Sequence, residues 1–200
     1  MTNSPNSEFD PLTRTQVLTI MAVTAIILLV VAKVWQYFGA IAIPAIRWTL
    51  PDFLFGLALA GAISGISGLL YRFWPSYRHS ANSYLELVIK PLAWPDLIWV
   101  GLLPGLSEEL LFRGVILPAL GLNIFGLTVS SLIFGILHFS GSQQWPYVIW
   151  ATVVGFALGY TVIITGNLLI PILAHIITNL LASFLRKLQH SNQYSVISYQ

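Results

Sequence analysis

About six apolar runs, each long enough or nearly long enough to cross a bilayer, occupy most of this 200-residue chain. A membrane-spanning helix needs about 20 mostly apolar residues. The runs therefore point to one fold class: an all-α, polytopic membrane helical bundle, with one or two further short or interfacial helices. Only 8% of residues are charged and 56% are hydrophobic, where a soluble domain carries roughly 25% charged residues. The shortfall extends over the whole length, so no soluble domain is expected. Cysteine is absent, which excludes disulfides, thiolate metal sites and cysteine nucleophiles. The net charge is +2 and no basic run suggests nucleic acid.

The expected spans run from about Thr15 to Phe38, Pro51 to Tyr71, Pro95 to Leu120, Asn123 to Phe139, Trp145 to Thr165 and Leu168 to Leu188. Between the second and third, Arg72 to Lys90 is mixed in polarity and suits a short interfacial helix around Tyr84 to Ile89. Pro104 and Gly105 are expected to break or kink the third helix. Four regions follow: a polar disordered tail (1–14), N-terminal spans with their connecting loop (15–90), a core (91–189) and a C-terminal tail (190–200). Acids precede Arg14 and the first apolar run is long, so the first span reads as retained rather than cleaved. With the N-terminus inside, Arg14, Arg72, Arg78, Lys90, Arg186 and Lys187 fall inside, and Lys33 and Arg47 fall outside. That asymmetry fits both termini being cytoplasmic.

The third run carries two adjacent glutamates, Glu108 and Glu109, with Arg113 a turn later. Ionisable groups at bilayer depth are costly, so such a cluster is a functional-site hypothesis. Glu109 and Arg113 are i and i+4, within reach of an ion pair. Glu108 points about a hundred degrees away and lacks that partner. An unpaired, desolvated glutamate is what a general base near neutral pH requires. Phe134 and His138 stand one turn apart in the fourth run, and His175 and Asn179 one turn apart in the sixth. If the third, fourth and sixth spans pack together, Glu108, His138, His175 and Asn179 converge on one cavity. His79 and His190 lie in polar flanks and are expected to be solvated.

Each residue also has a plainer reading. A buried His in a membrane helix is commonly a packing residue, a lone Asn is commonly interhelical glue, and a Glu–Arg pair at i,i+4 is commonly structural. The structural reading is kept for Glu109 and Arg113. The joint pattern of a double glutamate, an arginine and two buried histidines on separate spans is hard to explain by packing alone.

At these residues the chain resembles the CPBP family of intramembrane proteases, the CAAX-protease and bacteriocin-processing group. Three motifs carry the resemblance: EExxxR (Glu108, Glu109, Arg113), FxxxH (Phe134, His138) and HxxxN (His175, Asn179), in that order, over roughly Leu97 to Leu185. The resemblance implies an intramembrane endopeptidase acting on membrane-associated or CAAX-like peptide or protein substrates, some of them lipidated. Eukaryotic and archaeal members remove the last three residues of prenylated CAAX proteins. Carried over, Glu108 and His138 activate water, and His175 and Asn179 stabilise the oxyanion. Glu109 and Arg113, beside Phe134, support the site. A zinc version would use Glu108, His138 and His175 as ligands with an open position; the alternative requires no cofactor. HExxH is absent. Neither histidine has an evident carboxylate to orient it, which favours metal-free activation.

Rival readings are a proton-coupled transporter, a haem protein with His138 and His175 as axial ligands, and a catalytically inactive membrane scaffold. No internal repeat supports a transporter, and haem leaves the double glutamate unexplained. The only aspartates, Asp10, Asp52 and Asp96, lie at or outside span ends, which disfavours an aspartyl intramembrane protease. No serine motif with an identifiable histidine partner supports a rhomboid type.

Overall fold

Lipid offers no hydrogen bonds to the backbone, so each apolar run closes its own ladder as a helix, and the ends are set by local capping chemistry. The computed structural model describes residues 12–197, apart from the side chains of 84, 85 and 190–197. The expected tail over 1–14 therefore lies mostly outside the described residues. Helix α1 (Arg14–Phe38) opens on a capping box in which Thr13 and Gln16 exchange hydrogen bonds. Helix α2 (Leu50–Phe73) opens on Thr49 with Pro51 in its first turn. Helix α3 (Pro75–Ile89) follows at once and is longer than the expected interfacial segment.

A short 3₁₀ turn, Trp94–Asp96, leads into α4 (Leu97–Leu111). Helix α4 passes through a π-helical turn (Phe112–Ile116) into α5 (Leu117–Leu120). The expected break at Pro104 does not occur: α4 runs through it. The irregularity falls instead at the π turn, just after the glutamates. The last helices are α6 (Ile124–Ile136), α7 (Trp145–Thr165) and α8 (Leu169–Ile197). Among the described residues there is no strand, only an isolated bridge between Ala45 and Asn167.

Among the described residues, four helical stretches are long and apolar enough to cross a membrane: Arg14–Phe38, Leu50–Phe73, Ser142–Thr165 and Leu169–Gln189. A fifth crossing is available if α3 and Trp94–Leu120, bent by 112° to each other, act as one broken span. The six expected runs are all helical, but the fourth differs in length. Helix α6 has 13 residues and rises about 20 Å, short of a hydrocarbon core about 30 Å thick. His138 therefore lies in the turn beyond the helix rather than on it.

Helix α8 packs against α2 and α4, α6 against α7, and α1 against α4. Arg14 fixes one end of this arrangement with a bidentate grip on buried Asp96, at 2.6 and 2.7 Å. At the same end, the Lys187 ammonium caps the Leu92 carbonyl. At the other end, the Asn167 side chain accepts from the Arg47 amide and donates to the Arg47 carbonyl. Large apolar side chains such as Ile26, Ile27 and Val30 remain on the outer face, as a bundle surrounded by lipid requires. The chain is thus a helical bundle of the integral-membrane type.

Candidate active site

The site is built on a close approach of α4 to α8. Gly101 and Gly105 lie one turn apart on α4, and Glu109 follows one turn later on the same face. A Cβ on Gly101 would stand 2.6 Å from Leu180 Cγ and 3.0 Å from the Ile176 carbonyl. A Cβ on Gly105 would stand 3.1 Å from the Ile176 amide nitrogen and closer still to its side chain. Small residues spaced by four let membrane helices approach backbone to backbone. The approach brings His175 Nδ1 to 2.8 Å from Glu109 Oε1.

That oxygen has a second partner. Arg113 Nη1 donates to Glu109 Oε1 at 2.7 Å, and Nη2 donates to the Gly155 carbonyl of α7 at 3.0 Å. The guanidinium lies over the Phe134 ring of α6, 4.3 Å from its centroid. Glu109 and Arg113 are 0% and 1% exposed, so the pair ties four helices together in the dry centre of the bundle. The expected i,i+4 ion pair is present. The expectation that no carboxylate orients a histidine does not hold: Glu109 orients His175. Helical spacing assigns Glu109 wholly to Arg113, whereas a single carboxylate oxygen can accept from both. Gly101 and Gly105 also belong to the site, and none of the three motifs includes them. Their spacing is the legible signal of the helix approach that makes the contact.

Glu108 stands on the other side of α4, as its hundred-degree offset requires. Its Oε2 is buried without a hydrogen-bond partner and lies 4.0 Å from His138 Nε2. His138 Nδ1 is 2.8 Å from the Phe134 carbonyl. A carbonyl can only accept, so Nδ1 carries a proton, and in the neutral form of the ring the lone pair is on Nε2, on the Glu108 side. A gap of 4.0 Å is too long for a direct hydrogen bond and has the length that one bridging water spans. Phe134 sits between the two imidazoles, with ring centroids 4.8 Å from His138 and 6.0 Å from His175. Tyr147, which the motifs do not mark, faces His138 at 5.9 Å.

Glu108, His138, His175 and Asn179 all line one cavity of about 390 Å³. Most of its wall is apolar, and it continues along α8 to Arg186 and Gln189 and across to Asn82 on α3. His79, expected to be solvated, hydrogen-bonds Gln143 at an exposed position; the side chain of His190, read in the same way, lies outside the described residues. The zinc reading requires Glu108, His138 and His175 to gather around one point. Among the described residues no three His, Asp or Glu side chains gather closely enough to hold a metal ion. The ligand set does not fit a metal as placed, so no chemical step below is routed through one.

Residues 90–181 match the family described as type II CAAX prenyl endopeptidase, Rce1-like. All three motifs lie inside that stretch. The chain is also similar to the uncharacterized protein YpbD of Bacillus subtilis (strain 168), with 31% identity over 123 residues. The alignment spans 62% of each protein, less than two thirds of the relative's length. No solved structure matches the chain. The buried glutamate–arginine–histidine frame and the Glu108–His138 pair thus sit within the matched stretch, and over residues 90–181 this chain is similar to the Rce1-like family of type II CAAX prenyl endopeptidases.

Proposed function

We propose that the protein is an intramembrane endopeptidase that hydrolyses peptide bonds of membrane-associated substrates, with Glu108 as general base. The observation that carries this reading is the buried, unpartnered Glu108 Oε2 facing the His138 Nε2 lone pair at 4.0 Å in a cavity. A water held there gives one hydrogen to each group, which aims its oxygen lone pair at a substrate carbonyl. As that oxygen bonds to the carbonyl carbon, Glu108 takes its proton. The carbonyl oxygen becomes an oxyanion, and the Asn179 amide, one turn from His175 on the cavity wall, donates to it. His175 spends Nδ1–H on Glu109, so it joins as a donor only with a second proton, on Nε2, and Glu109 then supplies the counter-charge. When the C–N bond breaks, Glu108 returns its proton to the departing amine. The products are one carboxylic acid and one amine, with no other reactant.

Glu109, Arg113 and Phe134 act through others. They hold the His175 ring and clamp α4 against α6 and α7. The reading also covers orientation. Arg14, Lys90, Arg186 and Lys187 cluster at the end of the bundle where α1 begins and α8 continues, while Arg47 lies at the opposite end with Asn167. By the positive-inside tendency, the clustered end is cytoplasmic, and the cavity extends towards it.

The test is proteolysis in detergent of quenched-fluorescent peptides by wild type and Glu108→Ala. Cleavage by wild type that is lost in the folded variant is expected. Equal cleavage by both proteins would refute the assignment of the base.

A further inference from the structure

The cavity has a second polar end that the hydrolytic chemistry leaves unused. Arg186 of α8 is the one Lys or Arg among its described lining residues. Its side chain is 14% exposed, and its Nε is buried with no hydrogen-bond partner. The other two guanidinium nitrogens hold only long bonds, each 3.3 Å: Nη1 to Gln189 Oε1 and Nη2 to Glu86 Oε1, a carboxylate that is 51% exposed. A guanidinium is a rigid fork of five donors matched to a carboxylate, and this one keeps donor capacity beside an apolar channel.

We infer that Arg186 is a carboxylate-binding subsite that anchors the free C-terminus of the peptide substrate. The inference rests on the protease reading above and adds what sets the position of the cut. Asn179 and Arg186 lie on the same helix, roughly two turns apart, or about 10 Å along the axis; from the level of His175 the distance is about 16 Å. An extended peptide spans about 3.3–3.6 Å per residue. The stretch between the oxyanion position and the anchor therefore holds roughly three to five residues. Ala182 and Leu185 line the channel between them, which suits apolar side chains in the released fragment. A substrate lacking a free C-terminus near the cut would leave the guanidinium unmatched.

The experiment compares one cleavable peptide as free acid, as C-terminal amide, and as free acid extended by four residues beyond the first C-terminus. Wild type, Arg186→Gln, Arg186→Lys and Glu86→Gln are assayed, each checked for an unchanged thermal transition in detergent. Charge-assisted hydrogen bonds predict an acid-over-amide preference of roughly tenfold or more in kcat/KM, expressed in KM. The preference should vanish in Arg186→Gln and return in part in Arg186→Lys. It should strengthen in Glu86→Gln, where the competing carboxylate is gone. The extended acid should be cut at a new bond, shifted by the length added. An equal rate for acid and amide in wild type, or a preference that survives Arg186→Gln, would overturn the proposal. A parallel measurement separates the two readings: binding of a fluorescent tetrapeptide acid and its amide to Glu108→Gln protein, with and without Arg186→Gln. If nothing is cleaved in any arm, the protease reading fails by itself. Tighter binding of the acid that is lost with Arg186 would still support the anchor, and equal binding would refute it.

Discussion

Two neighbouring glutamates of the same α4 turn should respond oppositely to the same isosteric change. Glu109 is fully buried and its Oε1 accepts from both Arg113, at 2.7 Å, and His175, at 2.8 Å. Glu109→Gln removes the carboxylate hydrogen-bonded to the Arg113 guanidinium, which is 1% exposed and keeps no other hydrogen-bonded anion among the described residues, only the Gly155 carbonyl and the Phe134 and Phe112 rings. Removing one partner of a buried pair costs about 3–5 kcal/mol. The Gln amide oxygen can still accept both hydrogen bonds while its NH2 takes the place of the unpartnered Oε2, so the loss is that of the counter-charge and the lower part of that range, about 3 kcal/mol, is expected. At about 2–4 °C per kcal/mol for a chain of this size, the thermal midpoint in detergent falls by about 6–12 °C. Glu108 presents the reverse case. Its Oε2 has no hydrogen-bond partner to lose, so Glu108→Gln should leave the midpoint within about 2 °C or raise it, on the scale of a substitution that breaks nothing. Peptide hydrolysis should nevertheless disappear, because Gln cannot take a proton from water. The assay is an intrinsic-fluorescence melt of both variants beside peptide cleavage. A Glu108→Gln protein destabilised as much as Glu109→Gln would refute the division of labour, as would a Glu109→Gln protein that melts like wild type.

Asn179→Ala should lower kcat by about 10²–10³-fold with little change in KM, the expected loss of one oxyanion donor; a KM effect alone would mean that Asn179 only binds substrate. Gly105→Ala forces a Cβ against the Ile176 backbone and should cost about 1–3 kcal/mol by overpacking, with activity lost through the displaced Glu109–His175 contact. Gly61→Ala, where a Cβ would meet nothing within 4 Å, is the matched control and should melt like wild type. Phe134→Ala removes the ring between Arg113 and both histidines and should cost about 3–5 kcal/mol, visible as a lower melting midpoint. A strong chelator should leave cleavage unchanged if Glu108 activates water without a metal; reversible loss restored by zinc would assign Glu108, His138 and His175 to a metal instead.

The run lengths and the sparse charge of the sequence are enough to determine an all-helical membrane bundle, because lipid gives the polar backbone no partners and a continuous apolar run of about 20 residues, unlike the short alternating strands of a barrel, closes its hydrogen bonds within itself as a helix. Helical periodicity is equally sufficient for the Glu109–Arg113 pair and for the separation of Glu108 from it, since both follow from residue spacing on one helix. The capping signals at Thr13, Thr49 and Asn123 likewise mark helix starts locally. What spacing cannot supply is any distance between helices. The contact of Glu109 with His175 depends on Gly101 and Gly105 meeting Ile176 and Leu180, a fact of packing between segments far apart in the chain. Nor does the sequence decide the length of α6, because the apolar run continues past Ile136 while the helix does not. That early end leaves the His138 backbone free to turn and its Nδ1 to bond the Phe134 carbonyl, which fixes the tautomer. The placement of Arg186 at the far end of the same cavity belongs to the tertiary structure alone: in the sequence it is one of the bases flanking a span, and only the packing of α8 beside α3 makes it part of the cavity wall.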